Sequence, residues 1–152
     1  MNNLVFKKYS DIINGVSIGY EYLNDDSLKI LKKAFRVKDA LELSEKISKL
    51  DNIVTIEHLL MKDITVKNEE CVIEHFKNLN KIKSFYKNAK PKDVYYTNRF
   101  QLFPLIPYAI NNPLLKVFNN PLSLANNFIR IDENGNELDS DENIMRKYNE
   151  QL

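Results

Sequence analysis

Val72, His75, Phe76, Leu79, Ile82 and Tyr86 recur every three or four residues between Asn68 and Pro91. That spacing predicts one long amphipathic helix over about residues 68–88, opened by Asn68-Glu69-Glu70 and closed by Pro91. A helix with one apolar stripe needs a second layer to bury it, so the core must be built around this segment. Val72, Phe76, Leu79 and Ile82 are expected to be buried together. With 152 residues the chain can bury roughly two-thirds of the surface it exposes when unfolded, without a disulfide or metal staple. One domain over residues 1–152 is expected, with an acidic C-terminal helix (140–150) packed on it as an appendage.

The flanking segments mix both periodicities. Phe6, Tyr9 and Ile13 share a helical face, and Gly15 can end that helix, but Asn14-Gly15 is also a preferred hairpin centre. Helix, then turn, then strand is the favoured order, because Val16, Ile18, Tyr20 and Tyr22 alternate with polar or small residues. Asn24-Asp25-Asp26-Ser27 carries helix-capping chemistry. Helical spacing then runs through Leu28, Leu31 and Phe35 to Ile47, as one bent helix or as two broken at Arg36–Lys38. Residues 53–57 are β-prone, and Ile64-Thr65-Val66 is expected to add a second strand. Val94–Thr97 and Phe128–Ile131 read as strands, Asn134-Gly135 as a turn, and Asp141 to about Tyr148 as a helix capped by Ser140 or Asp139.

All five prolines lie between 91 and 121. There Asn111-Asn112-Pro113-Leu114 recurs as Asn119-Asn120-Pro121-Leu122, and each copy is expected to start a short helix. No regular β-α-β alternation is visible, which favours an α+β class, helix-rich with short strands.

Charge is unevenly distributed. From His75 to Ile131 there are nine Lys or Arg and one acid, Asp93, giving +8 in a chain whose net charge is +1. The same stretch holds ten of the sixteen aromatic residues. Such a surface attracts anionic partners. Lys77 and Lys81 fall one turn apart on the outer face of the long helix, Lys83 and Lys87 on a flank. Lys90, Lys92 and Arg99 extend the charge past it. An ordinary solvated helix face would mix signs.

Many chemistries are excluded. The three glycines form no phosphate-binding loop or nucleophile elbow, and H-E-x-x-H and paired C-x-x-C motifs are absent. His58 and His75 each follow Ile-Glu, and Cys71 lies one turn before His75, half of a zinc site in spacing. Yet His75 projects from the apolar stripe while Glu74 points away, so a core histidine is the better reading, and no metal or cofactor is expected. Asp132-x-Asn134-x-Asn136 begins like a calcium loop, but Glu137 stands where the loop needs Gly and Asn143 where it needs Glu.

The leading expectation is therefore a non-enzymatic protein that binds another protein with an acidic surface, of the small neutralising immunity or antitoxin kind. Its binding residues would be Lys77, Lys81, Lys83, Lys87, Lys90, Lys92, Tyr95, Tyr96 and Arg99. One alternative is a nucleic-acid module using the segment 77–103, with weak, phosphate-driven binding. Another is a small ribonuclease with His58 and His75 as general base and acid. The acidic C-terminus could also fold back onto the basic face. A lone cysteine, early charges at Lys7 and Lys8, and no apolar run long enough to span a bilayer predict a cytoplasmic protein without a membrane role.

Overall fold

The computed structural model of the chain describes residues 12–87, 89–90, 92–100, 113–117 and 128–152. Alternating residues build three strands: β1 (Gly15–Glu21), β2 (Thr55–Met61) and β3 (Asp93–Phe100). They form one sheet in the order β1-β2-β3, and both pairings are parallel, with Ile18 beside His58 and His58 beside Tyr96. Parallel neighbours require long crossovers. Helices α1 (Asp25–Ile30) and α2 (Val37–Ser48) supply the first, and α3 (Glu69–Lys87) supplies the second. The class is α+β with a long central helix, as expected. What the sequence did not reveal is that its first hundred residues do alternate strand and helix.

Local chemistry sets the helix boundaries. Asn24 Oδ1 accepts the Ser27 N–H at 2.9 Å and starts α1. Lys32, at φ 55°, turns the chain out of it. Asp39 accepts the Arg36 N–H at 2.9 Å and opens α2, so the segment is two helices, and the break runs over residues 31–36, just before the Arg36–Lys38 expected for it. Helices α2 and α3 cover the same face of the sheet: Tyr20, Leu60, Ala40, Leu79 and Ile82 share one buried cluster. Val72, Leu79 and Ile82 are buried as expected, while Phe76 is only partly covered and bridges two clusters.

Ile64-Thr65-Val66 is not a strand. All three residues are fully buried, whereas a strand on a two-layer sheet would alternate. Asp63, at φ 54°, takes the chain off β2, and Ile64 and Val66 enter a second core cluster with Tyr22, Val72 and Ile144.

The first Asn-Pro repeat also differs from expectation. Pro113-Leu114 forms a turn, and the next residues are β4 (Leu115–Val117), paired antiparallel with β5 (Phe128–Arg130). The ladder satisfies backbone groups that a short helix would have left open. The second repeat and residues 4–11 lie outside the described residues. After β5, Asp132 accepts the N–H groups of Asn134 and Asn136 at 2.9 and 2.8 Å, and Gly135 at φ 84° completes the expected turn. Ser140 caps α4 (Asp141–Glu150), which packs on α3 and contributes Ile144 to the core.

Candidate functional site

Four of the nominated cations lie exposed along α3: Lys77, Lys81, Lys83 and Lys87. Helical geometry puts Lys77 and Lys81 on the outer side and Lys83 and Lys87 on the flank towards β3. Lys83 Nζ sits 5.1 Å from the centre of the Tyr96 ring, and Lys77 Nζ 5.3 Å from that of Tyr148 on α4. Both contacts are cation–π in kind and hold the ammonium groups at the surface.

Lys90, Lys92 and Tyr95 are placed elsewhere. Lys90 pairs with Asp51 at 2.9 Å. Lys92 Nζ donates to the carbonyls of Leu50 and Ile53 at 2.5 and 2.6 Å, and desolvation pushes its ammonium below the usual lysine range. Both tie the loop before β3 to the loop before β2. Arg99 lies in β3. Tyr95 is 55% exposed, but alternation places it on the sheet face opposite Tyr96 and the helices. Tyr96 itself is half-buried, stacked on His58 with ring centres 5.4 Å apart.

The two histidines occupy separate interiors. His58, fully buried on the central strand, lies between Tyr20 and Tyr96. Its Nε2 is 3.0 Å from the Tyr86 hydroxyl, and its Nδ1 is buried without a partner. Burial lowers its pKa to about 4 and raises the Tyr20 hydroxyl to about 12. His75 is 3% exposed, stacked on Tyr22 at 3.9 Å, and its Nδ1 accepts the Leu23 N–H at 3.0 Å. Burial lowers its pKa to about 3. Cys71, one turn earlier, directs its Sγ to Asn68 Oδ1 at 3.4 Å, and burial pushes its thiol up. The imagined zinc half-site and the paired imidazoles are not assembled.

A polar corner went unrecognised in the sequence. Arg130, 5% exposed, donates to Asp141 Oδ1 and to the Ile64 carbonyl, each at 2.8 Å, and to the Asp139 carbonyl. Asp141 Oδ2 accepts from the Tyr22 hydroxyl and the Asp63 N–H, both at 3.1 Å. Both Asp141 oxygens and both terminal nitrogens of Arg130 are occupied, which is the mark of a structural junction. The C-terminal helix thus folds back on α3, but its acids answer other groups: Glu142 meets Lys62, Asp139 meets Lys147 and Asp141 meets Arg130. Where α4 lies beside α3, at the carboxyl end of β2, an open groove of about 780 Å³ remains. No sequence signal marks it, because its walls come from segments some seventy residues apart.

Among the described residues, no helix is long and apolar enough to cross a membrane, and no group of three or more His, Cys, Asp or Glu is placed to hold a metal ion. No protein-family model matches the chain, and no curated protein or solved structure is similar to it.

Proposed function

We propose that this is a non-enzymatic protein that binds another protein with an acidic surface, in concrete form a cytoplasmic neutralising protein of the immunity or antitoxin kind. The observation that carries the reading is two exposed lysine pairs on one rigid helix, Lys77 and Lys81 on its outer side and Lys83 and Lys87 on a flank. No acid follows Glu74 on that helix. A preorganised set of charges of one sign steers a partner of the other sign and rejects like-charged ones.

Two rival readings find less support. A nucleic-acid strand would need phosphate contacts and stacking rings on one surface, but exposed Tyr95 lies across the sheet from the lysines. A ribonuclease needs two imidazoles that reach one phosphate, and both rings here are enclosed.

Affinity capture from the native host tests the proposal, using the parent and a Lys81→Glu/Lys87→Glu variant. One protein retained by the parent at moderate salt, and lost by the variant, is the expected result. Co-expression should relieve the toxicity of that protein. Capture of nucleic acid instead, with steep loss on adding salt, would put the phosphate-binding reading first.

A further inference from the structure

The groove beside α4 has an apolar floor and a charged rim. Its floor is the end of β2, Leu60 and Met61, and its walls include Phe76 and Leu79 from α3 and Met145 from α4. At about 780 Å³ it falls within the size range of ligand sites, which are mostly apolar with a few placed polar groups. It opens at the carboxyl end of β2, with Tyr96 of β3 on one side.

His75 supplies the placed polar group. The ring borders the groove, and the Leu23 N–H donates to Nδ1, so Nδ1 carries no hydrogen. Burial keeps the ring neutral, and the single ring hydrogen must then sit on Nε2. No acceptor for it is found among the described residues, and Nε2 is not one of the buried atoms sealed off without a partner, so it keeps access to solvent although the residue is only 3% exposed. An N–H donor therefore stands at the edge of an apolar groove with its bond unmade.

Charge selects the sign of a ligand. Lys62, Lys83 and Arg146 border the groove, against Asp141, Glu142 and Glu150. Of its acids, Glu142 is paired with Lys62 at 3.4 Å and Asp141 is saturated by Arg130, Tyr22 and Asp63. Glu150 alone, among the described acids of the lining, has no cation recorded against it.

We propose that the groove binds an organic carboxylate with an apolar body, the carboxylate accepting the His75 Nε2–H and the body lying along Phe76 and Leu79 towards Tyr96. The site shares only Lys83 with the lysine face, so it can stand if no protein partner exists.

The full chain is titrated with decanoate, decanol and decyltrimethylammonium, followed by calorimetry and by the imidazole nitrogen resonances of His75. Decanoate should bind and shift the Nε2 signal, with decanol weaker by about tenfold, the size expected for one hydrogen bond to a charged group. The ammonium compound should not bind. His75→Asn, whose amide oxygen can still accept the Leu23 N–H, should reduce decanoate affinity by about tenfold and decanol affinity by less, since a hydroxyl is the weaker acceptor. Met145→Trp, which fills the groove, should abolish both. Equal binding of decanoate and decanol, an unmoved Nε2 signal, or no decanoate binding at millimolar concentration would each overturn the proposal.

Discussion

The centre of the sheet and its carboxyl edge each bury one histidine, and they treat it in opposite ways. His58 is enclosed by Tyr20, Tyr86 and Tyr96, and one of its nitrogens is sealed in without a partner. His75 uses the equivalent nitrogen to satisfy the backbone of Leu23, and its other nitrogen borders a groove. The first ring is held by packing and one hydrogen bond to Tyr86, and carries a polar atom that contributes nothing. The second is held by a hydrogen bond and keeps a donor at an opening. Burial alone therefore does not separate a filler from a site; the fate of each nitrogen does.

Acid should produce the largest effect, because both regions fail together. The folded pKa values lie near 4 and 3 for His58 and His75, against about 6.5 in an unfolded chain. Between these values only the unfolded state takes up the proton, so stability falls as pH drops. The loss starts near pH 6.5 and runs to about pH 4 for His58 and about pH 3 for His75. At about 1.4 kcal/mol per unit it reaches about 3 kcal/mol for the first and about 5 for the second. Together these are comparable with the whole stability of a typical domain, about 5–15 kcal/mol. Urea unfolding at a series of pH values should show stability falling steeply below about pH 6. A flat profile down to about pH 4.5 would mean that the rings are not enclosed as described.

Next in size is the junction that holds the carboxyl edge together. Asp141→Ala strands the Arg130 guanidinium and frees the Tyr22 hydroxyl and the Asp63 N–H, and should cost about 3–5 kcal/mol in urea unfolding. The double replacement Arg130→Met/Asp141→Leu should cost less than Asp141→Ala alone, since it leaves no unpaired buried charge. A double variant as unstable as the sum of its singles would mean that the two charges are not coupled, and would place the stabilisation outside the ion pair.

These two regions also differ in how far the sequence foretold them. The α3 stripe, the Asn24 cap and the Ser140 cap were legible because each depends on neighbours a few residues away. The basic stretch was legible as a count, and helical spacing placed four of its members. Lys92 was not, because the carbonyls that take its ammonium belong to Leu50 and Ile53, some forty residues earlier. Ile64–Val66 was misread because β-branched residues suit a buried loop as well as a strand. The parallel register, the Tyr22–Asp141 bond across 119 positions and the groove arise only when distant segments meet.

A smaller effect separates the two histidines directly. His75→Phe keeps a ring against Tyr22 but removes the acceptor for the buried Leu23 N–H, and should cost about 1–3 kcal/mol at neutral pH. His75→Asn should recover part of that loss by restoring an acceptor. If His75→Phe were neutral in denaturant unfolding, the Leu23 bond would not be what holds the ring, and the hydrogen on Nε2 would lose its physical basis.

The smallest change is expected at His58. His58→Phe retains the stack between Tyr20 and Tyr96 and forfeits one hydrogen bond to Tyr86, worth about 0.5–1.5 kcal/mol. It also removes a buried nitrogen with no partner, whose desolvation costs about 1–3 kcal/mol. The two terms oppose, so neutral-pH stability should move by no more than about 1 kcal/mol in either direction. The acid response should change more: without His58 the fall from about pH 6.5 to about pH 4 loses one of its two contributors, and the slope there should be roughly halved. A loss of several kcal/mol at neutral pH would show instead that Nδ1 is satisfied, by a water in the aromatic cage. The contrast between a histidine that fills and a histidine that binds would then narrow to the opening beside His75.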